Sequence, residues 1–170
     1  MGDQVMDRFL FGLTLVSALG CGLVAGVFFA FSNFVMKALA RLPAAQGIAA
    51  MNSINVTVIN PAFMTALFGT AACCVVLVVS ALRSWHRPDA VYLLVGGLLY
   101  VVGNAVVTIA FNVPRNNALA AVDPLSAGGS MVWQKFLESW TAWNHVRTVT
   151  ALAAAALLTI GLLKSNPQGI

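Results

Sequence analysis

An imidazole, guanidinium groups and several carboxamides crowd two short stretches of an otherwise apolar chain: Asn112-Val113-Pro114-Arg115-Asn116-Asn117 and Trp140-Thr141-Ala142-Trp143-Asn144-His145-Val146-Arg147-Thr148. His145 is the side chain among them whose unperturbed pKa, about 6.5, lets it accept a proton near neutral pH. Arg147 follows Trp143 by one helical turn, a spacing that suits a cation stacked on an indole or a charge reaching for headgroups. Buried carboxamides cost a few kcal/mol unless they find partners, so this many together predict a connected network. Three His or carboxylate ligands do not occur together, and phosphate loops, serine elbows and CxxCH haem motifs are absent. The expected cofactor is therefore none, and any chemistry runs on His, Asn, Arg and aromatic groups.

The elements that must position these groups follow from composition. Of 170 residues, 60% are hydrophobic and 8% charged, against about one quarter charged in soluble domains. Such a chain cannot clothe a soluble surface, and the expected solvent is lipid. A net charge of +4 without a basic block argues against a nucleic-acid partner. Cys21, Cys73 and Cys74 lie in apolar runs and read as packing residues.

Four apolar runs, roughly 9–34, 62–82, 90–113 and 146–163, are each near the 20 or so residues a bilayer requires. The predicted fold is an all-α, single-domain, four-helix transmembrane bundle over 1–170, with both termini on one side. An additional amphipathic helix is expected before span two, carrying Met51, Ile54, Val58 and Ile59, and another before span four, carrying Val132, Phe136 and Trp140. Ala18, Gly22, Gly26 and Ala30 form a small-residue stripe for close helix approach, which leaves oligomerisation open. With Arg115 and Arg147 set aside as site residues, the remaining Lys and Arg favour cytoplasmic termini in a bacterial plasma membrane.

Antiparallel threading brings the ends holding Asn33, Asn60, Asn112 and Asn144 to one face of the bundle. Asn104, Thr108, Phe111 and Arg115 follow one stripe of span three, and a polar stripe in lipid faces the interior. Trp140, Asn144, Arg147 and Thr148 share a face of span four, while His145 sits about 100° round from Asn144 and can enter a neighbouring cleft. Asn60, Asn112, Asn116, Asn144, His145 and Arg147 are expected to line one cavity, with Asn33, Asn104, Thr108, Arg115, Trp140 and Trp143 as further contacts to a small apolar or aromatic molecule. Each Asn taken alone is as well explained by interhelical hydrogen bonding; the concentration at one end favours a pocket.

The run Phe111-Asn112-Val113-Pro114-Arg115-Asn116-Asn117, then Trp140 to Thr148, with Gly22 to Phe31 and Asn60-Pro61-Ala62-Phe63-Met64, resembles the anthrone oxygenase-like family of small four-span membrane proteins. The resemblance implies oxidation of an anthrone to an anthraquinone without flavin, haem or metal. It implies His145 as the base that forms an electron-rich carbanion, Asn112, Asn116, Asn144 and Arg147 as donors to the enolate, and Trp140 and Trp143 as flat walls. The competing expectation is a non-enzymatic module that binds a small molecule or lipid, or a subunit docking a partner.

Overall fold

The computed structural model describes residues 2–126 and 128–165. Among them there are no strands, and five helices account for the fold: α1 (Gln4–Leu39), α2 (Ala44–Thr57), α3 (Pro61–Arg83), α4 (Ala90–Ala120) and α5 (Gly129–Ser165). α1, α3, α4 and α5 are long and apolar enough to cross a bilayer. Together they point to an integral membrane protein. Their outer faces carry exposed Leu, Val, Ile and Phe, the surface lipid requires.

Small residues set the helix contacts, because packing rather than water exclusion holds helices together in lipid. Ala18, Cys21, Ala25, Ala151 and Ala154 are buried between helices. The α1 stripe is corrected in detail: Gly22 and Gly26 face open space, whereas Gly20 is the glycine pressed on a neighbour, Thr70 of α3. α3 and α4 meet tightly at Gly97, where an added methyl would stand 2.9 Å from the Cys74 carbonyl oxygen. Above that contact Tyr100 donates its hydroxyl to the Leu67 carbonyl across 3.2 Å.

The helix predicted before span two is α2. It lies against α5 because Gly47 leaves room for the Trp133 indole, and Ile48 and Met51 complete its buried side. Asn60 then caps α3, with its Oδ1 accepting from Phe63 N at 3.0 Å and Pro61 at the first helical position. The separate helix expected before span four does not exist. Gly129–Ser165 is one uninterrupted α-helix, since nothing after Gly129 breaks the backbone ladder.

At the hairpin end, Arg87 donates to Asp89 at 3.0 and 3.1 Å and to Asp7 at 2.6 Å, tying the α3–α4 turn to the start of α1. The Asp89 bonds, reinforced by Asp7, raise the Arg87 pKa above its ordinary value despite partial burial. Asp7, Arg8, Arg87 and Ser165 border one depression, so both ends of the described chain lie on this side.

Candidate functional site

The polar cluster sits at the other end, where α1 and α4 finish and α3 and α5 begin. Here the helices loosen into wider π-helical turns at Phe31–Val35, Thr65–Gly69, Val101–Val106 and Thr108–Asn112. Such turns concentrate at functional sites because they re-aim side chains. In α4 they align Asn104, Thr108, Asn112 and Asn116 at four-residue spacing. Phe111 and Arg115, placed on the inward stripe by simple α periodicity, instead turn toward Trp143.

A cavity of about 220 Å³ lies between α1, α2, α3, α4 and α5. That is compact for a ligand pocket, which commonly exceeds roughly 300 Å³. Phe28, Phe31, Phe63 and Trp140 supply aromatic wall, Met51, Ile54 and Leu67 aliphatic wall, and Asn55, Thr108, Asn112, Asn116 and Arg147 the polar groups. Phe31 and Trp140 meet at 5.9 Å between ring centroids, and Phe28 and Phe63 edge to face at 6.4 Å.

Arg147 is the charged group in this wall, and it is only 4% exposed. No carboxylate among the described residues pairs with it. Its guanidinium carbon stands 4.0 Å from the Phe28 ring centroid and 5.1 Å from that of Trp140. Nη2 donates to Asn144 Oδ1 at 2.6 Å and Nη1 to Thr108 Oγ1 at 3.3 Å. Asn144 is held in turn, its Nδ2 donating to Phe28 O at 2.7 Å and Ser32 Oγ at 2.6 Å. A buried cation normally has a counter-charge, whereas this one has aromatic faces and neutral oxygens.

Several buried polar atoms around the cavity have no protein partner: Arg147 Nε, Trp140 Nε1, Asn55 Nδ2, Asn112 Oδ1 and Asn116 Oδ1. Native proteins leave few such groups, and each calls for an explanation. Asn112 is fixed by its other end, where Nδ2 donates to Trp140 O at 3.3 Å. The residues of the wall thus hold a cation with two further unpartnered donors and two unpartnered acceptors, all buried in otherwise apolar surroundings.

Arg147, Asn112, Asn116, Thr108 and Trp140 therefore meet at one cavity as the sequence predicts, and Asn144 stands immediately behind Arg147. The other residues expected at this cavity lie elsewhere. His145 is exposed and lines a separate open cleft between α1 and α5, beside Lys37 and Glu138, because successive helix positions lie about 100° apart. Asn60 is used as the α3 cap, and Asn33 is exposed outside the cavity. Asn104 is buried deeper and donates to Thr150 Oγ1 at 3.2 Å, joining α4 to α5. Trp143 stacks on Phe111 at 3.6 Å, and Arg115 lies 6.0 Å over the same indole while donating to Phe111 O, so this trio forms a second structure beside the cavity. The cation stacked on Trp143 is Arg115, not Arg147.

The sequence gives no sign of the π-helical turns, and polarity and helix position do not by themselves single out Asn55, Phe28 and Phe63, which also line the cavity. Asn55 carries a signal, as an amide beside the apolar positions of α2; in sequence the phenylalanines look the same as lipid-facing ones. A family model described as anthrone oxygenase matches residues 61–157, more than half of the chain and nearly all of α3, α4 and α5. The match begins after α1 and α2, so the Gly22 to Phe31 likeness lies outside it. No curated protein and no solved structure matches the chain.

Proposed function

The chain belongs to the anthrone oxygenase family, and from that premise we propose that it is a membrane-embedded oxygenase for a phenolic or anthrone-type molecule, whose reaction proceeds on the ionised substrate. The observation that carries this reading is Arg147, a buried cation without a carboxylate partner in the wall of a compact aromatic cavity. An opposite charge a few ångströms away favours the ionised form of an acidic group. Arg147 would bind the enolate oxygen, with Trp140 Nε1 and Asn55 Nδ2 as further donors and Asn112 and Asn116 accepting from a second hydroxyl. Phe28, Phe31 and Trp140 would hold the ring plane.

The chemistry balances without a group in the cavity retaining the proton. The substrate gives one proton to a water molecule, leaving an enolate whose carbanion carbon is electron-rich. That carbon forms a bond to dioxygen, giving a peroxide anion. The O–O bond then breaks as the second C–H proton is lost, one oxygen stays as the new carbonyl, and hydroxide leaves and combines with the first proton as water. Carbon is oxidised, dioxygen is reduced, and preorganised donors stabilise each anion in turn. His145 in its separate cleft does not contact this substrate, so its proposed role as base passes to Arg147-assisted ionisation.

A second reading is favoured by one observation: the cavity wall contains no imidazole or carboxylate. In that reading the protein binds an acidic small molecule or lipid without transforming it. Anaerobic titration of the purified protein with anthrone, followed by admission of oxygen, separates the two. Enolate absorption at a pH where free anthrone is neutral, then quinone formation with one O₂ consumed per substrate, supports the oxygenase. Binding as the neutral molecule with no oxygen uptake overturns it in favour of the binding module.

A further inference from the structure

We propose that the cavity is loaded sideways from the bilayer, through a window between α3 and α4 rimmed by Ile59, Phe68, Ile109 and Val113, so that its substrate is a membrane-dissolved molecule rather than a water-borne one. The inference rests on the reading that this cavity receives an apolar ring molecule, and it is independent of the oxidation step.

The wall residues divide sharply by exposure. Ile59 is 72% exposed, Ile109 59%, and Phe68 and Val113 40% each, and every other lining residue is buried or half-buried. The exposed ones bound the mouth, and all are aliphatic or aromatic. A mouth facing water would place hydrophobic groups against solvent at about 25 cal/mol per Å²; against acyl chains that cost vanishes. Arg115, two positions after Val113, is engaged by Trp143 and the Phe111 carbonyl.

The other sides are closed. Toward the hairpin end α3 and α4 meet at Gly97 and Cys74, and the Tyr100–Leu67 hydrogen bond lies just above. Phe28, Trp140 and Arg147 seal the α1–α5 side and are buried. α2 covers the headgroup side through Met51 and Ile54, anchored on Trp133 by Gly47. The rim also reaches into the candidate spans, since Phe68 and Ile109 fall within α3 and α4, while Ile59 just precedes α3. Polarity then rises inward, from the apolar rim to Asn112 and Arg147, so a ligand entering from lipid arrives with its oxygen edge leading.

Two measurements on the full-length protein in phosphatidylcholine nanodiscs test the window. In a Cys73→Ala background, with Cys21 and Cys74 buried, Ile109→Cys and Phe68→Cys are treated with a charged, lipid-insoluble maleimide and with N-ethylmaleimide. The proposal expects both positions to react with the charged reagent at least tenfold more slowly than Ser84→Cys in the exposed hairpin, yet to be modified by the lipid-soluble one. Equal rates with the charged reagent would mean that the rim faces water, and would overturn it. In the second measurement, anthrone binding under argon is followed by stopped flow. Ile109→Trp should slow association and dissociation together by tenfold or more, leaving Kd within about threefold, while Val102→Trp, on α4 outside the rim, should change neither. An unchanged association rate in Ile109→Trp would also overturn the window. If the rim resists the charged reagent but anthrone fails to bind the parent protein, the proposed function falls and the window stands for another membrane-dissolved ligand.

Discussion

His145 and Arg147, two positions apart on α5, face different clefts: Arg147 is buried in the wall of the aromatic cavity, and His145 is exposed beside Lys37 and Glu138. Two positions on an α-helix differ by about 200°, so both cannot serve one ligand without breaking α5, and α5 is continuous. The group able to stabilise an anion is therefore separated from the imidazole at this end of the bundle.

This separation sets opposite expectations for variants at the two positions. Arg147→Gln should lower kcat/KM for anthrone oxidation by about 10² to 10³, the range for removing one oxyanion donor. Arg147→Lys should recover only part of the loss, since lysine keeps the charge but not the planar fork stacked on Phe28. His145→Gln should stay within about threefold of the parent, whereas a general base would contribute roughly 10² to 10⁴. Steady-state oxygen uptake by the three variants decides between the roles.

Gly97 and Gly26 separate helix contact from open surface. A methyl at Gly97 meets Val78 Cγ2 at 2.7 Å and the Cys74 carbonyl oxygen at 2.9 Å, so Gly97→Ala forces α3 and α4 apart at the foot of the cavity. Overpacking of this kind costs about 1–3 kcal/mol. Gly26→Ala meets nothing within 4 Å and should leave the thermal midpoint in detergent unchanged. A lowered midpoint in Gly26→Ala, together with loss of a larger species on gel filtration, would instead show that copies associate through this face.

The ion pairs at the hairpin end predict a stability effect. Asp89 is buried at 4% side-chain exposure and Arg87 is 26% exposed. Breaking a buried pair costs roughly 3–5 kcal/mol, and partial solvent screening brings Arg87→Met to about 2 kcal/mol. Asp7→Asn removes only the more exposed partner, at 62%, and should cost under about 1 kcal/mol. Thermal unfolding of the two variants in one detergent checks the ordering.

Much of this architecture is legible in the amino-acid sequence. The four long helices follow from apolar runs of bilayer length, α2 from its helical spacing, and the meeting of Asn112, Asn116, Trp140 and Arg147 from antiparallel threading. What is not legible comes from local departures that leave hydrophobic periodicity intact. The π-helical turns of α4 bring Asn112 into the wall where α periodicity selected Phe111 and Arg115. Asn60 satisfies the first turn of α3, a backbone demand that a count of polar residues cannot distinguish from a binding role. His145 neighbours the cluster in sequence only, because adjacent helix positions diverge by about 100°.

Thr108 permits the most direct test of the unpaired cation. Its Oγ1 lies 3.3 Å from Arg147 Nη1 and it lines the cavity, so Thr108→Asp places a carboxylate beside the guanidinium without disturbing the Asn144 bonds to Phe28 O and Ser32 Oγ. If Arg147 is kept without a counter-charge in order to take an anionic oxygen, the new carboxylate occupies that role permanently. The variant should fold at least as well as the parent, because a buried charge gains a partner. Its enolate binding and oxygen uptake should fall by about 10² or more, since a like charge now opposes the ionised substrate. Thr108→Val, which removes the hydroxyl but adds no charge, should lose only about fivefold, near the 0.5–1.5 kcal/mol of one neutral hydrogen bond. Equal losses in the two variants would show that Thr108 acts through shape alone and that the charge of Arg147 is not what the ligand reads.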